Sequence, residues 1–287
     1  MTKHFQPKDT AQLLEALQAC SDKSLILAGG TDAVIGMRRK GALPDLILFP
    51  GGLPGIRDIE VTEDAVTIGA MATMRDTASK LAGIRELAAL ADACSGVGSA
   101  QIRNKATLAG NLCTGSPAGD MLPVAALYGM RLEVLDASGE RSMVPFDRFL
   151  LGPRKTCLRP GQMVMKLIID RRPLSGTVSA FMKIGSRTDV SIARESCAAL
   201  IHLDADGRID RSRIVLGAVY DTPVRVHDAE KLLIGTEPAQ AAVSEAVAER
   251  IAEAVFTHCR PANRIYKTEA ARGLAADVFA RVLSRLS

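Results

Sequence analysis

Apolar and polar positions in the first third of the chain change between helical and strand-like spacing. Asp9 precedes leucines that recur on one helical face (Leu13, Leu14 and Leu17), which predicts a capped first helix. Short apolar runs that end at or lie between glycine and proline predict strands. These predicted strands lie at residues 25–27, 46–49 and 66–70.

The rest of the chain continues the mixture of elements. A hairpin is predicted from two apolar runs at 132–135 and 141–144, and Thr73 and Asp76 have the spacing of a capping box. Further strands are predicted at 196–203 and 214–220, and helices at 33–39, 84–93, 121–128, 236–255 and 265–286. Strands followed by helices in each half predict the α+β class. The charged, proline-bearing stretch near 171–176 predicts a domain boundary, which gives domains 1–172 and 173–287.

The stretch 101–120 has a different composition from its surroundings. It holds three glycines, one proline, two asparagines and three hydroxyl residues, and this composition predicts an irregular loop rather than a helix or strand. Such a loop leaves backbone N–H groups free to bind an anion. Gly110 would let a ligand approach the main chain, and Thr107 and Asn111 offer short polar side chains. Asp120 offers a carboxylate for a ligand hydroxyl, or a cap for the helix after it.

A second glycine-containing loop follows the strand at 25–27. It contains Gly29, Gly30, Thr31 and Asp32, and two such loops would suit the two ends of a pyrophosphate. The loop lacks the G-x-G-x-x-G spacing of a dinucleotide fold and the Lys-Ser/Thr of a P-loop. Taken alone, each loop is better explained as an ordinary connection between elements. Together they favour a ligand.

Composition narrows the classes of partner. The net charge is only +4 over 287 residues, and aromatic residues make up 3% of the chain, so nothing predicts nucleic-acid binding. The N-terminus carries no apolar segment of a secretory signal, and no apolar run reaches the roughly 18 residues of a membrane span. We therefore expect a cytoplasmic protein without a membrane span.

Candidate catalytic and metal-binding groups are not clustered in the sequence. The six cysteines are scattered without a C-x-x-C pair, which predicts neither an iron–sulfur cluster nor a zinc site. No nucleophile triad, H-E-x-x-H motif or pair of carboxylates is evident. Difficult chemistry would then have to be supplied by a cofactor.

Five ordered motifs and a C-terminal continuation resemble the FAD-binding medium subunit of the molybdenum hydroxylases, a family that includes xanthine and aerobic carbon monoxide dehydrogenases. The resemblance lies in Ala28–Asp32, Ile68–Ala70, Gln101–Asn104, Thr107–Asn111, Ser116–Asp120, Phe181–Lys183, Arg187 and Arg264–Arg272. It covers essentially the whole chain. It implies a vanillyl-alcohol-oxidase (PCMH)-type FAD-binding fold, with a smaller C-terminal α+β domain of the carbon monoxide dehydrogenase flavoprotein type.

The resemblance also implies a function and a set of partners. The chain would bind FAD, accept electrons from the [2Fe–2S] clusters of a small subunit, and pass them to NAD, oxygen or another acceptor. A large subunit would oxidise the substrate at a molybdenum cofactor, in a dimer of heterotrimers. Lys183 would lie close to the flavin, where a cation stabilises negative charge, although a solvated surface lysine is an alternative from sequence. The implied FAD-binding residues are Leu27, Ala28, Gly29, Gly30, Thr31, Asp32, Val97, Thr107, Gly110, Asn111, Ser116, Asp120, Val164 and Lys183.

One residue departs from the family's T-I-G-G-N motif. Ala109 stands at a glycine position, and if that position required a positive φ, alanine there would be strained. This departure keeps a second function open, a flavin-free scaffold within the same type of complex. A self-contained flavin oxidase is a third reading, which the short C-terminal part and the lack of an evident catalytic base make the least favoured.

Overall fold

The computed structural model describes residues 2–187, 190–242 and 244–286. These residues form two compact units whose segments alternate along the chain. Unit 1 contains the described residues up to 77, together with 100–115 and 129–171. Unit 2 contains 78–99, 116–128 and the described residues from 172 onward.

The strands range in length from two to nine residues. In chain order they are β1 Lys3–Phe5, β2 Leu25–Ile26, β3 Leu46–Leu48, β4 Ile59–Val61, β5 Ala65–Gly69, β6 Arg131–Asp136, β7 Arg141–Pro145, β8 Leu150–Gly152, β9 Lys155–Thr156, β10 Gln162–Asp170, β11 Thr177–Ile184, β12 Glu195–Leu203, β13 Ile209–Gly217 and β14 Val224–Arg225.

The helices range from single turns to a long C-terminal helix. In chain order they are α1 Thr10–Gln18, α2 Ala33–Lys40, α3 Met74–Leu81, α4 Ala88–Gly96, α5 Ala100–Arg103, α6 Leu108–Thr114, α7 Met121–Tyr128, α8 Phe146–Phe149, α9 His227–Leu233, α10 Pro238–Ala242, α11 Glu245–His258 and α12 Arg264–Leu283. Short 3₁₀ turns occur at Pro50–Gly52, Arg85–Leu87, Arg172–Leu174 and Pro261–Asn263.

Unit 1 is built on two main sheets. A parallel sheet has the order β1-β3-β2, and an antiparallel sheet has the order β4-β5-β10-β6-β7. In β5 the side chains of Val66 and Ile68 are fully buried, whereas Thr67 between them is half-buried, as the alternation of a strand requires. The parallel sheet places the end of β2, and therefore the first glycine loop, beside the end of β3.

Unit 2 is an antiparallel sheet with the order β11-β12-β13-β14, packed against helices. Alternate residues of β12, such as Ile201, lie in an apolar core with residues of α11 and α12 such as Ile251 and Leu274. The intervening positions, such as Ala198, are also buried, because α4 and α7 pack on the same strands. β12 therefore carries a continuous run of buried residues from Glu195 to Ile201.

The structure confirms the α+β class and most of the predicted elements. Asp9 caps α1 by accepting a hydrogen bond from the Gln12 backbone, and β6 and β7 form the predicted hairpin. The prediction that 101–120 is irregular throughout is wrong, since α5 and α6 lie within it. The helix predicted at 236–255 is interrupted. Ser244 caps α11, α10 ends at Ala242, and Val243 lies outside the described residues.

No helix among the described residues is long and apolar enough to cross a membrane. In the same part of the chain, no group of three or more histidine, cysteine, aspartate or glutamate residues is placed to hold a metal ion.

Candidate FAD-binding residues

The first glycine loop of unit 1 connects β2 to α2. Leu27 extends the sheet pairing by donating its backbone N–H to Leu48 at 2.8 Å, after which the chain turns through Gly30 at a φ of 72°. Within the described residues, the backbone N–H groups of Gly29, Gly30 and Thr31 donate no hydrogen bond. These donors precede the positive end of the α2 dipole, where an anion is stabilised.

Gly29 is required at its position because of contact with the second loop. A Cβ atom added to Gly29 would lie 1.9 Å from the carbonyl oxygen of Lys105, which is too close for any side chain. A Cβ atom on Gly110 would lie 3.7 Å from the Cβ atom of Ala28. The two loops that the sequence singled out are therefore in direct contact within unit 1.

Thr107 begins α6 as its N-cap residue. Its Oγ1 atom accepts a hydrogen bond from the Gly110 backbone N–H at 3.0 Å, so this N–H serves the helix cap. Gly110 does not have a positive φ, and a Cβ atom there would lie 2.8 Å from Thr107 Oγ1. Gly110 thus leaves space beside the cap, a role that the sequence did not predict.

Ala109 lies in the first turn of α6 and is buried, with a φ that is not positive. The strain considered for alanine at this position is therefore absent. In the same helix the side-chain oxygen of Asn111 is buried and accepts no hydrogen bond from any described residue. A buried polar atom without a partner costs about 1–3 kcal/mol, so Asn111 is suited to a ligand that donates to it.

Asp120 and Lys183 form a buried ion pair in unit 2. Lys183 Nζ lies 2.6 Å from Asp120 Oδ2 and also donates to the carbonyl oxygens of Gly96 at 2.9 Å and Ser191 at 3.3 Å. The Lys183 side chain is only 15% exposed, so the alternative of a solvated surface lysine is wrong. Burial raises the pKa of the Asp120 carboxyl, and the charge of Lys183 partly opposes this effect.

The second carboxylate oxygen of Asp120 is available to a ligand. Asp120 Oδ1 is buried and has no hydrogen-bond partner within the described chain. Like the Asn111 oxygen in unit 1, it would be satisfied by a donor from outside the protein, such as a ligand hydroxyl. Within unit 1, the orphaned Asn111 oxygen and the free N–H groups at Gly29–Thr31 fit a ligand that carries both a donor group and a pyrophosphate.

The remaining implied residues lie in several elements. Val164 is buried in β10, where the pairing with β6 shifts register. Val97 follows α4 in unit 2, and the Ser116 carbonyl accepts from the Gly119 backbone at 2.7 Å. Apart from Val164, the implied residues of unit 1 lie in the first glycine loop or in the segment Thr107–Asn111, which begins α6.

Sequence reasoning missed the buried acid Glu195 in unit 2. Glu195 is fully buried, and neither carboxylate oxygen has a hydrogen-bond partner among the described residues. Burial raises its pKa to about 8, with the charge of Lys267 partly opposing the shift. The strand at 196–203 was predicted to begin just after Glu195, whereas β12 includes it. If the predicted strand had begun one residue earlier, Glu195 would have been recognised as a charged residue within an apolar strand.

Lys267 also lines a cleft of about 440 Å³ within unit 2. The cleft contains the guanidinium group of Arg194, 5.8 Å from the centre of the Tyr266 ring, and the amide of Asn263. Lys267 Nζ donates to the Ala218 carbonyl, and Ala218 has a φ of 60°. Two cations and an aromatic side chain give the cleft the character of a site for an anionic ligand with a planar group.

The chain matches two known protein families over most of its length. Residues 1–171 match the family described as the FAD binding domain in molybdopterin dehydrogenase, and residues 180–282 match the CO dehydrogenase flavoprotein C-terminal domain. The chain is 29% identical over 287 residues to the nicotinate dehydrogenase FAD-subunit of Eubacterium barkeri, covering 98% of this chain and 96% of the relative. It is 32% identical over 239 residues to the nicotine 6-hydroxylase medium subunit of Paenarthrobacter nicotinovorans, covering 82% of each.

A solved structure shows the same fold. The chain superimposes with a TM-score of 0.86 and 25% identity on carbon monoxide dehydrogenase from Hydrogenophaga pseudoflava, in a form that lacks the Mo-pyranopterin moiety, covering 99% of this chain and 98% of that one. The fold and the matched domains define an FAD-binding oxidoreductase subunit. The chain belongs to the family of FAD-binding subunits of the molybdenum hydroxylases, which confirms the resemblance drawn from its motifs.

Proposed function

We propose that this chain is the electron-transfer subunit of a molybdenum hydroxylase complex. It would take electrons from the [2Fe–2S] clusters of a small partner subunit and pass them to an external acceptor such as NAD or oxygen. A large partner subunit with the molybdenum cofactor would oxidise the substrate. The observation that carries the proposal is the contact between two glycine-containing loops in unit 1, with free N–H groups at Gly29–Thr31.

FAD, when bound, would supply the redox chemistry that the side chains of this chain lack. The backbone donors of Gly29, Gly30 and Thr31 would hold its pyrophosphate, and Asn111 would accept from a donor group of the ligand through its orphaned oxygen. The remaining residues that we propose for FAD binding in unit 1 are Leu27, Ala28, Asp32, Thr107, Gly110 and Val164. In unit 2 we propose Val97 and Ser116.

We also propose Asp120 and Lys183, which pair within unit 2, as FAD-binding residues. Asp120 Oδ1 would accept from a hydroxyl group, while Oδ2 keeps its bond to Lys183. All three bonds of the Lys183 ammonium group go to Asp120, Gly96 and Ser191, so this lysine would act on the flavin through its charge. Low exposure reduces the screening of that charge by water.

The cleft of unit 2 is our candidate site for an external acceptor. Arg194 and Lys267 would attract an anionic acceptor, and the Tyr266 ring would pack against a planar group. Oxygen would need no such site. The lining of the cleft therefore favours a charged organic acceptor over oxygen.

The names of the relatives support a multi-subunit assembly. One relative is called a medium subunit, and another, from Paenarthrobacter nicotinovorans, is subunit alpha of the 6-hydroxypseudooxynicotine dehydrogenase complex. We propose a heterotrimer that dimerises and resides in the cytoplasm. Two domains, 1–172 for FAD and 173–287 of the carbon monoxide dehydrogenase flavoprotein type, remain our proposed division of the chain.

The two alternative functions are a flavin-free scaffold and a self-contained flavin oxidase. A flavin-free scaffold rested on strain at Ala109, and the helical conformation of Ala109 removes that support. A self-contained flavin oxidase would oxidise substrate without partners. The experiment below separates it from the subunit function.

The test compares the purified chain with the reconstituted complex on purines, aldehydes, N-heterocycles and carbon monoxide. We expect the chain alone to oxidise none of them, but to pass electrons from NADH or an artificial donor to a dye. Adding the two partner subunits should produce substrate oxidation, with reduction of the clusters preceding reduction of the flavin after rapid mixing. Substrate turnover by the isolated chain at the rate of the complex would overturn the proposal in favour of the oxidase.

A further inference from the structure

A hairpin in unit 1 touches both loops of the proposed FAD site. It consists of β8 and β9, and its turn contains Arg154 with a φ of 56°. A non-glycine residue in this left-handed region is strained by roughly 1 kcal/mol or more. The turn would tolerate glycine better, so the arginine side chain or its contacts need an explanation.

The backbone of Arg154 is fixed to the end of α6. Its N–H donates to the Gly115 carbonyl at 2.7 Å, and Gly115 closes α6 in the left-handed conformation. A Cβ atom on Gly115 would lie 3.3 Å from Arg154 Cα, so the two backbones are in close contact. The hairpin turn is thus attached to the C-terminal end of the helix that carries Asn111.

The side chain of Arg154 reaches the first loop. Its Nη1 atom lies 3.4 Å from Asp32 Oδ2, at the start of α2. Both side chains are more than half exposed, at 59% and 58%. An exposed pair of this kind contributes at most about 1 kcal/mol to folding, which does not by itself offset the strain at Arg154.

The charge of Asp32 also affects the binding of an anion at the first glycine loop. Asp32 makes no side-chain cap to α2, and its carboxylate follows directly on Gly29, Gly30 and Thr31. The Asp32 carboxylate would disfavour a pyrophosphate held by those N–H groups, because nearby like charges repel. A cation paired to Asp32 reduces this repulsion.

We propose that Arg154 is a cofactor-positioning residue, which neutralises Asp32 beside the FAD pyrophosphate and joins the start of α2 to the end of α6. This inference rests on the proposed function, since it assumes that FAD binds at the two loops. The turn between β8 and β9 would then raise the affinity for FAD, although it lies outside both glycine loops.

The test is a titration of the full-length chain, freed of flavin, with FAD, followed by flavin fluorescence. Arg154→Gly removes the side chain and accepts the positive φ, so folding should be retained. We expect it to weaken FAD binding about tenfold, and the loss should shrink as salt is added. Lys155→Gly removes the same charge from the neighbouring, exposed position and should change the FAD affinity less than about twofold.

The mechanism is tested by repeating the titration with Asp32→Asn as the starting protein. If Arg154 acts by neutralising Asp32, Arg154→Gly should have an effect of less than about threefold in this background. An equal effect of Arg154→Gly in both backgrounds, or equal effects of Arg154→Gly and Lys155→Gly, would overturn the inference. Failure of the wild-type chain and its reconstituted complex to bind FAD would instead overturn the proposed function.

Discussion

The ammonium group of Lys183 lies 2.6 Å from Asp120 Oδ2, and both side chains are largely buried in unit 2. Two further backbone carbonyls accept from the same ammonium group. The pair therefore fixes the Lys183 ammonium group on β11 and leaves Asp120 Oδ1 open to a ligand.

Replacing one partner of the pair should cost more than replacing both. Lys183→Met leaves a buried carboxylate without its cation and should lower the free energy of unfolding by about 3 kcal/mol. In the double variant Lys183→Met with Asp120→Asn no buried charge remains, so much of the loss should be recovered. Urea unfolding of the wild type, both single variants and the double variant measures this coupling. Additive effects would show that the two charges do not depend on each other.

Gly29→Ala should abolish FAD binding, because its Cβ atom would overlap the Lys105 carbonyl oxygen and force the two loops apart. The matched control is Gly36→Ala in α2, where an added Cβ atom meets nothing within 4 Å. That control should retain FAD and gain up to about 1 kcal/mol of helix stability. FAD content and thermal unfolding measure both variants. A Gly29→Ala protein that keeps its full FAD content would refute the close contact of the loops.

Asp92→Asn should destabilise the chain by about 2 kcal/mol or more. Arg285 donates to both oxygens of Asp92 at 2.6 and 2.8 Å, and Arg281 also contacts this carboxylate, which is 9% exposed. A buried carboxylate bonded in this way is costly to replace. Asp228→Asn, at an exposed pair with Lys231, should leave the melting temperature nearly unchanged. Equal melting temperatures for the two variants would contradict this prediction.

Glu195 should make stability depend on pH. Its pKa is about 8 when folded, against an ordinary value of 4.5, so the folded chain holds the proton more tightly than the unfolded chain. The contribution of Glu195 to stability is therefore complete below about pH 4.5 and is lost as the pH rises to about 8, by up to about 1.4 kcal/mol per pH unit.

Glu195→Gln should remove this dependence. The variant and the wild type should be similarly stable near pH 4.5, and the variant should be the more stable at pH 8. Urea unfolding at several pH values within this window measures the difference. Parallel curves for the two proteins would show that the buried carboxyl does not titrate in this range.

The sequence predicted much of the fold because its signals were local. The cap at Asp9, the hairpin of β6 and β7 and the apolar helix α7 each depend on a few neighbouring residues, and each is present. The two glycine-containing segments that the sequence singled out are in contact within unit 1. The reason for Gly29 could not be predicted, since it is a contact with Lys105, distant in sequence.

Other features escaped prediction for similar reasons. The helices α5 and α6 are short, and a composition rich in glycine and asparagine concealed them. Lys183 resembled an exposed lysine because its three acceptors come from Gly96, Asp120 and Ser191, which no local pattern connects. Whether alanine is strained at position 109 depends on its φ, which the sequence does not give. The contact of Arg154 with Asp32 joins residues 122 positions apart in the sequence.

The most direct test of the proposed function is the identity and amount of flavin in the complex. The chain should be purified with its two partner subunits and denatured, and the released flavin should be separated and quantified. We predict one FAD per chain, released without proteolysis because it is bound non-covalently. Release of FMN, or of no flavin, would contradict the assignment of the two glycine loops to FAD.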